Sequence, residues 1–305
     1  MKDLLVGSTG FVGGNLRKSH IFEAECHSTD VREYYRTEPD LCVYAGVPAT
    51  MFLANSAPDA DLAVVREALE NIHEIRPKRL VLISTVAVYD KTKGVTEEYA
   101  LNLTALPAYG RNRAQLEQWV RTDYPEAVIV RLPAIYGAGI KKNFLYDLYT
   151  ITPAMLKREK YEELSRDSLL VKESYIDGSN GFYKLSDKAD RIALRSFFEE
   201  NDFNALSFTD SRSRYQFYYL GTLWDDICKI LEAGIKIMNL ATPPVSAGEI
   251  YQHIIGKTGW ENYLPLYYDY DIRTVNAGLF GGQDGYICSM DNEINNIVGF
   301  MKLWK

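Results

Sequence analysis

The sequence predicts an α/β protein, a doubly wound parallel sheet with a smaller, interleaved C-terminal lobe. Three observations predict it. Short apolar runs alternate with helical patterns through the first half of the chain, a glycine-rich run follows the first apolar run, and the alternation stops at Gly137. With 305 residues, 47% hydrophobic and 25% charged, the chain has the size and composition of an ordinary globular protein with room for one large domain or two.

Taken in order, residues 4–6 read as a strand and residues 11–19 as the helix that follows the glycines. Residues 41–45 form a second clear strand, and residues 61–75 an amphipathic helix stopped by Pro77. The apolar run 79–84 has the character of a strand covered on both faces. Residues 108–122 are helical and 127–132 are another buried strand. Beyond Gly137, charged helical stretches such as 155–166 alternate with polar turns such as 177–181, and the βα rhythm is lost. The runs 215–220 and 237–240 read as strands that rejoin the first sheet. The expected division is therefore a first domain of residues 1–137, rejoined by about 215–242, and a substrate-binding lobe of residues 138–214 and 243–305.

Composition removes several function classes. Thirty-four basic against forty-one acidic side chains leave a net charge of −7, so the chain lacks the electrostatic footprint of a nucleic-acid binder. The cysteines Cys26, Cys42, Cys228 and Cys288 and the histidines His20, His27, His73 and His253 are scattered, which predicts buried thiols in a reducing compartment and no metal. No leader-like start and no long apolar stretch is visible, so a cytoplasmic protein with no membrane partner is expected. Fourteen of the 22 tyrosines follow Gly137, and they read as packing for the second lobe or as rings that stack on a sugar or base.

The strongest local signal is the run Gly7-Ser8-Thr9-Gly10-Phe11-Val12-Gly13, placed between the first strand and the first helix. Glycines there let the backbone approach a pyrophosphate, and the amides of Phe11 and Val12 at the helix start donate to it. Asp30, about 20 residues on, is expected at the end of the second strand, where a carboxylate accepts both ribose hydroxyls. Together these predict a Rossmann-type domain that binds NAD rather than NADP, although Arg32 would suit a 2′-phosphate.

Further motifs follow in a set order. Ser84-Thr85 ends a strand, Tyr109-Gly110-Arg111-Asn112-Arg113 opens a helix, and Arg131-Leu132-Pro133-Ala134-Ile135-Tyr136-Gly137 comes next. With the glycine turn, these resemble the extended short-chain dehydrogenase/reductase family of nucleotide-sugar epimerases and dehydratases over most of the chain. The resemblance implies a catalytic set of Thr85, Tyr109 and Arg113, the last standing where the family has lysine. It also implies a cofactor site of Gly7, Thr9, Gly10, Phe11, Val12, Gly13, Asp30, Ala45, Gly46, Tyr109, Arg113 and Pro133, and a nucleotide-sugar substrate with Arg212 and Arg214 near its diphosphate. A homodimer is implied as well. In this reading Tyr109 is the base, Thr85 bonds the developing ketone oxygen and Arg113 keeps the phenolate charged. Val86 and Ala87 stand where family dehydratases carry Asp and Glu, so water elimination is disfavoured. An NAD-dependent epimerase is the first expectation; a nucleotide-sugar reductase and a catalytically silent dinucleotide-binding sensor are the alternatives.

Overall fold

The computed structural model of the protein describes residues 1–178 and 181–303. Six parallel strands form the main sheet: β1 (Asp3–Val6), β2 (Ala24–Cys26), β3 (Leu41–Tyr44), β4 (Leu80–Thr85), β5 (Val128–Leu132) and β6 (Ile237–Asn239). Their order across the sheet is β6-β5-β4-β3-β1-β2. The direction of winding reverses between β1 and β3, so a crevice opens there beyond the carboxyl ends of the strands. The connecting helices include α1 (Phe11–Ser19), α2 (Met51–Ser56), α3 (Pro58–Ile75) and α4 (Ala108–Asp123). The expected α/β fold is present, and helix α1 has the limits read from the sequence.

Strand alternation divides the core into two layers. Leu4, Val6, Cys42, Tyr44, Leu80, Leu82 and Ile129 face the side that carries Val65, Ile72 and Ile75 of α3 and Leu116 and Val120 of α4. Leu5, Val43, Val81, Val128 and Val130 face the other side, with Leu16 of α1 and Ile227 and Ile230 of the helix Leu223–Glu232. A sheet covered on both faces has little need of polar alternation, which is why its strands read as continuous apolar runs.

The chain divides into two compact units. The first comprises Met1–Ile140, Arg214–Val245 and Asp269–Phe300, and the second Lys141–Ser213, Ser246–Tyr268 and the residues from Met301. Segment Asp269–Phe300 thus lies with the first unit, where the sequence had placed it in the second lobe. Side-chain and backbone bonds account for this: the Gln216 amide donates to Ile272 O at 2.7 Å and accepts from its N–H at 2.8 Å, and Ile287 N donates to Ala241 O.

Three elements differ from expectation. Strand β6 joins the main sheet beside β5, but Phe217–Tyr219 pairs instead with Ala134–Tyr136 in a separate two-stranded parallel ladder. Pro133 ends β5 because it has no N–H to continue the main ladder, and the chain resumes as this second pair. Within 155–166 only Arg158–Asp167 is helical, since Met155–Lys157 is a strand with Leu156 buried between two exposed neighbours. It pairs antiparallel with Phe182–Leu185, which pairs in turn with Tyr175–Asp177. Of the turn expected at 177–181, Ser179 and Asn180 lie outside the described residues. Finally, β2 stops at Cys26, so Asp30 lies four residues beyond the strand at the start of a 3-10 turn.

The cysteines are all free, with Cys26 and Cys42 buried and Cys228 and Cys288 only half-buried. Among the described residues no helix is long and apolar enough to cross a membrane, and no group of three or more His, Cys, Asp or Glu side chains is placed to hold a metal.

One buried carboxyl in the first unit has a consequence for stability. Glu293 is 2% exposed, its Oε1 has no partner, and its Oε2 accepts only the Cys288 thiol at 3.7 Å. Burial pushes its carboxyl up to about 8, with the Cys288 contact opposing weakly. A folded-state value raised in this way gives stability that is complete below the unfolded glutamate value and is lost as pH rises through about 8. Melting curves recorded between about pH 5 and about pH 9 should therefore fall with pH in the wild type. Glu293→Gln, an isostere of the protonated form, should flatten that fall and raise the melting temperature at the alkaline end by roughly 5 °C.

Candidate active site

The carboxyl end of the sheet gathers the turns that follow β1, β2, β3, β4 and β5. Gly7 follows β1, Asp30 lies beyond β2, Ala45 and Gly46 follow β3, Thr85 ends β4, and Pro133 follows β5. These expected site residues therefore share one edge of the first unit.

The glycine turn is fixed from below by β2. The amides of Gly7 and Ser8 both donate to Cys26 O, at 2.9 and 3.0 Å, and the Ser8 hydroxyl donates to the same oxygen. Gly7 has φ +87°, and a Cβ there would stand 2.6 Å from Ala45 O, so this crossing of the β1 and β3 turns admits no side chain. Helix α1 then starts with Gly10 as N-cap, without a side-chain cap and without an acidic residue in its first turn. That donor set, Phe11, Val12 and Gly13 amides at a helix start with no competing carboxylate, fits a pyrophosphate. Asp30 is exposed, and its charge adds to burial in pushing the Cys26 thiol up to about 12. Asn15 was missed in the sequence. Its amide donates to Ala138 O and accepts from Ala138 N, tying α1 to the turn after Tyr136.

The second half of the site is built on α4. Tyr109, Arg113 and Glu117 recur every four residues and so lie along one face of the helix. Gly110 sets how closely that helix approaches β4, for a Cβ there would lie 2.0 Å from Ala87 O. Glu117 locks the register. Its carboxylate accepts Nε and Nη2 of Arg131 on β5, the latter at 2.5 Å, in a pair 2% exposed on both sides, and it also accepts the Ser84 hydroxyl from β4. Arg131 donates further to the Tyr89 hydroxyl at 2.6 Å, which bonds Asn239 on β6. With the helix so placed, Thr85 accepts the Ala87 N–H at 3.1 Å, and its hydroxyl is near enough to the Tyr109 phenol to favour the phenolate slightly.

Arg113 is the surprise of the site. The sequence reading left it as a cation free to favour the phenolate, but its guanidinium is already engaged. Nη1 donates to Asp61 Oδ2 at 2.5 Å, Nη2 to Pro48 O at 2.6 Å, and Nη1 also to the backbone carbonyl of Tyr109 at 3.2 Å. The group lies over the Tyr109 ring, 4.0 Å from its centroid. Burial holds the Tyr109 phenol above the ordinary tyrosine value; Arg113, by its charge and as a hydrogen-bond donor, and the Thr85 hydroxyl pull it down, and Asp61 pushes it up. At neutral pH the residue is a phenol.

Arg212 and Arg214, expected near a substrate diphosphate, are both engaged by protein. Arg212, in the second unit, makes a bidentate pair with the fully buried carboxylate of Asp210 and lies against the rings of Tyr263 and Tyr267. Arg214, in the first unit, faces Asp269 at 3.8 Å and donates to Pro244 O.

Comparison with known proteins agrees with this architecture. The family described as the RmlD substrate binding domain matches residues 1–160. No curated protein matches the chain. Among solved structures, a hypothetical dTDP-4-dehydrorhamnose reductase from Sulfolobus tokodaii is 17% identical with a TM-score of 0.60, over 95% of this chain and 98% of that one. RMD from Pseudomonas aeruginosa, complexed with NADPH, is 12% identical with a TM-score of 0.63 over the whole of both chains. UDP-glucose 4-epimerase from Thermotoga maritima, with UDP-glucose, is 13% identical with a TM-score of 0.59 over the whole of both. At these identities the likeness is one of fold. The family match over residues 1–160, more than half of the chain, makes this chain a member of the RmlD substrate-binding-domain family, built on the extended short-chain dehydrogenase/reductase fold.

Proposed function

We propose that the protein is an NAD(H)-dependent reductase that converts a keto group of a nucleotide-activated sugar to the alcohol. The observation that carries this reading is the placement of Tyr109 at the start of α4, with Thr85 at the carboxyl edge of the sheet and the already paired guanidinium of Arg113 over its ring, buried surroundings that favour the neutral phenol. A phenol delivers a proton to a carbonyl oxygen, whereas oxidation of a sugar hydroxyl, with which epimerisation begins, requires the phenolate. The same consideration places reduction ahead of the epimerase first expected from sequence. Val86 and Ala87 supply no acid or base for dehydration.

In this reading the glycine turn and the first amides of α1 hold the pyrophosphate, and Asp30 accepts the adenosine ribose hydroxyls. The bound nicotinamide supplies the hydride. Tyr109 protonates the oxygen as the carbonyl carbon is reduced, and Thr85 orients the phenol and bonds the same oxygen. The first unit is the dinucleotide-binding domain and the second contributes to sugar binding. Family membership supports the substrate class, as do the reductases of nucleotide sugars among the structural neighbours.

Cofactor choice is tested by thermal shift. NADH should raise the melting temperature more than NADPH at equal concentration, because a ligand bound only by the native state stabilises it by mass action. Asp30→Ala should narrow that gap, and a larger effect of NADPH would transfer the role to Arg32. The chemistry is tested by following nicotinamide absorbance with nucleotide keto sugars. Tyr109→Phe should lower kcat by at least about 100-fold while NADH affinity stays near wild type, since only the proton donor is removed. A Phe variant that reduces substrate at the wild-type rate would refute the assignment, and a wild type that binds NADH yet reduces no keto sugar would favour a sensor.

A further inference from the structure

Arginine at position 113 does not stand alone. Asp61, from the first turn of α3, lies 52 residues away in sequence and forms with Arg113 an ion pair whose side chains are only 6% and 10% exposed. The Asp61 Oδ2 that accepts Arg113 also accepts the Asn112 amide at 2.8 Å. One carboxylate thus ties two successive residues of α4 to α3. Further donors of the guanidinium are taken by Pro48 O and by Tyr109 O, and its carbon lies 4.0 Å from the centroid of the Tyr109 ring. A planar fork can satisfy several acceptors in this way, whereas a compact ammonium is a point charge that can sit at an oxygen.

We infer that Asp61 is a positioning residue for catalysis: it neutralises and orients Arg113, and by doing so keeps Tyr109 in the proton-donating form. The inference rests on the reading of Tyr109 as the reacting group. The charged and hydrogen-bonding groups that face Tyr109 are few. Arg113 comes from its own helix, Asp61 from α3 and the Thr85 hydroxyl from β4, while the Asn55 side chain accepts the Tyr109 backbone N–H and carries no charge. Of these, Asp61 alone is negative. Removing its charge leaves the guanidinium uncompensated beside the phenol, and a nearby uncompensated cation favours the phenolate.

The test is a tyrosine titration in the ligand-free protein, read from carbon-13 ring resonances, with Tyr109→Phe identifying the Tyr109 signal. In Asp61→Asn the signal should titrate at a pH lower than wild type by roughly one unit or more, and Asp61→Glu should restore wild-type behaviour. Under saturating NADH and keto sugar, the alkaline fall of the rate should move to lower pH by a similar amount in Asp61→Asn. An unchanged or raised titration in a folded Asp61→Asn protein would overturn the inference. Should that variant fail to fold, the double variant Asp61→Asn with Arg113→Gln leaves no buried charge unpaired. It should titrate close to wild type, and a shift of more than roughly one unit in either direction would overturn the inference instead. Because the titration needs no turnover, a wild type without reductase activity would retire the proposed function and leave the role of Asp61 in Tyr109 ionisation separately decided.

Discussion

The ion pair between Glu117 and Arg131 is the constraint on which the site depends. Two charges at 2% exposure are costly to bury unless they are hydrogen-bonded as well as paired, and here Ser84 donates to Glu117 and Tyr89, itself bonded to Asn239, accepts from Arg131. The result is a polar rivet that passes through an otherwise apolar layer and fixes α4 against β4 and β5. It has only one register, because a helix rotated or shifted by one residue would leave a buried carboxylate without its cation. Tyr109 stands two turns earlier on the same face, and the contact of Gly110 with Ala87 O sets its distance from Thr85. The position of the Tyr109 hydroxyl is thus decided by residues elsewhere on the helix and the sheet.

That architecture places a second ion pair above the first. Glu117 with Arg131 fixes where the helix lies, and Asp61 with Arg113 fixes the electrostatic environment of the phenol. Replacing lysine by arginine at position 113 therefore changes more than size. The fork is held by backbone and carboxylate acceptors of α4, α3 and the turn after β3, so the cation becomes part of the scaffold. Burial outweighs the pull of this cation on the phenol, and the balance favours the neutral form.

Sequence reading succeeded where the signal is local. The glycine turn, the limits of α1 and the placement of Thr85 and Tyr109 all follow from patterns a few residues long, and all hold in the fold. It failed where partners are remote or where two periods compete. Asp61 was read as the start of an amphipathic helix, since nothing in its neighbourhood announces a partner 52 residues on. Arg131 was noticed only as the start of a family-like motif, and Glu117, its partner on α4, was not singled out. Met155–Lys157 was assigned to a helix because three residues are too few to display a period of two against the charged helix that follows. The run 215–220 was recognised as extended but sent to the wrong sheet, a matter that Pro133, far away in sequence, decides. Asp30 was placed at the end of a strand that in fact stops at Cys26, four residues earlier.

The central claim is that Tyr109 acts as a neutral proton donor whose neighbouring cation is already neutralised. The pH dependence of wild-type keto-sugar reduction at saturating substrate and NADH tests it most directly. A neutral donor predicts a rate that is level through the neutral range and declines only at alkaline pH, as the phenol ionises. A rate that climbs with pH through the neutral range, as expected of a group that must first lose its proton, would contradict the account.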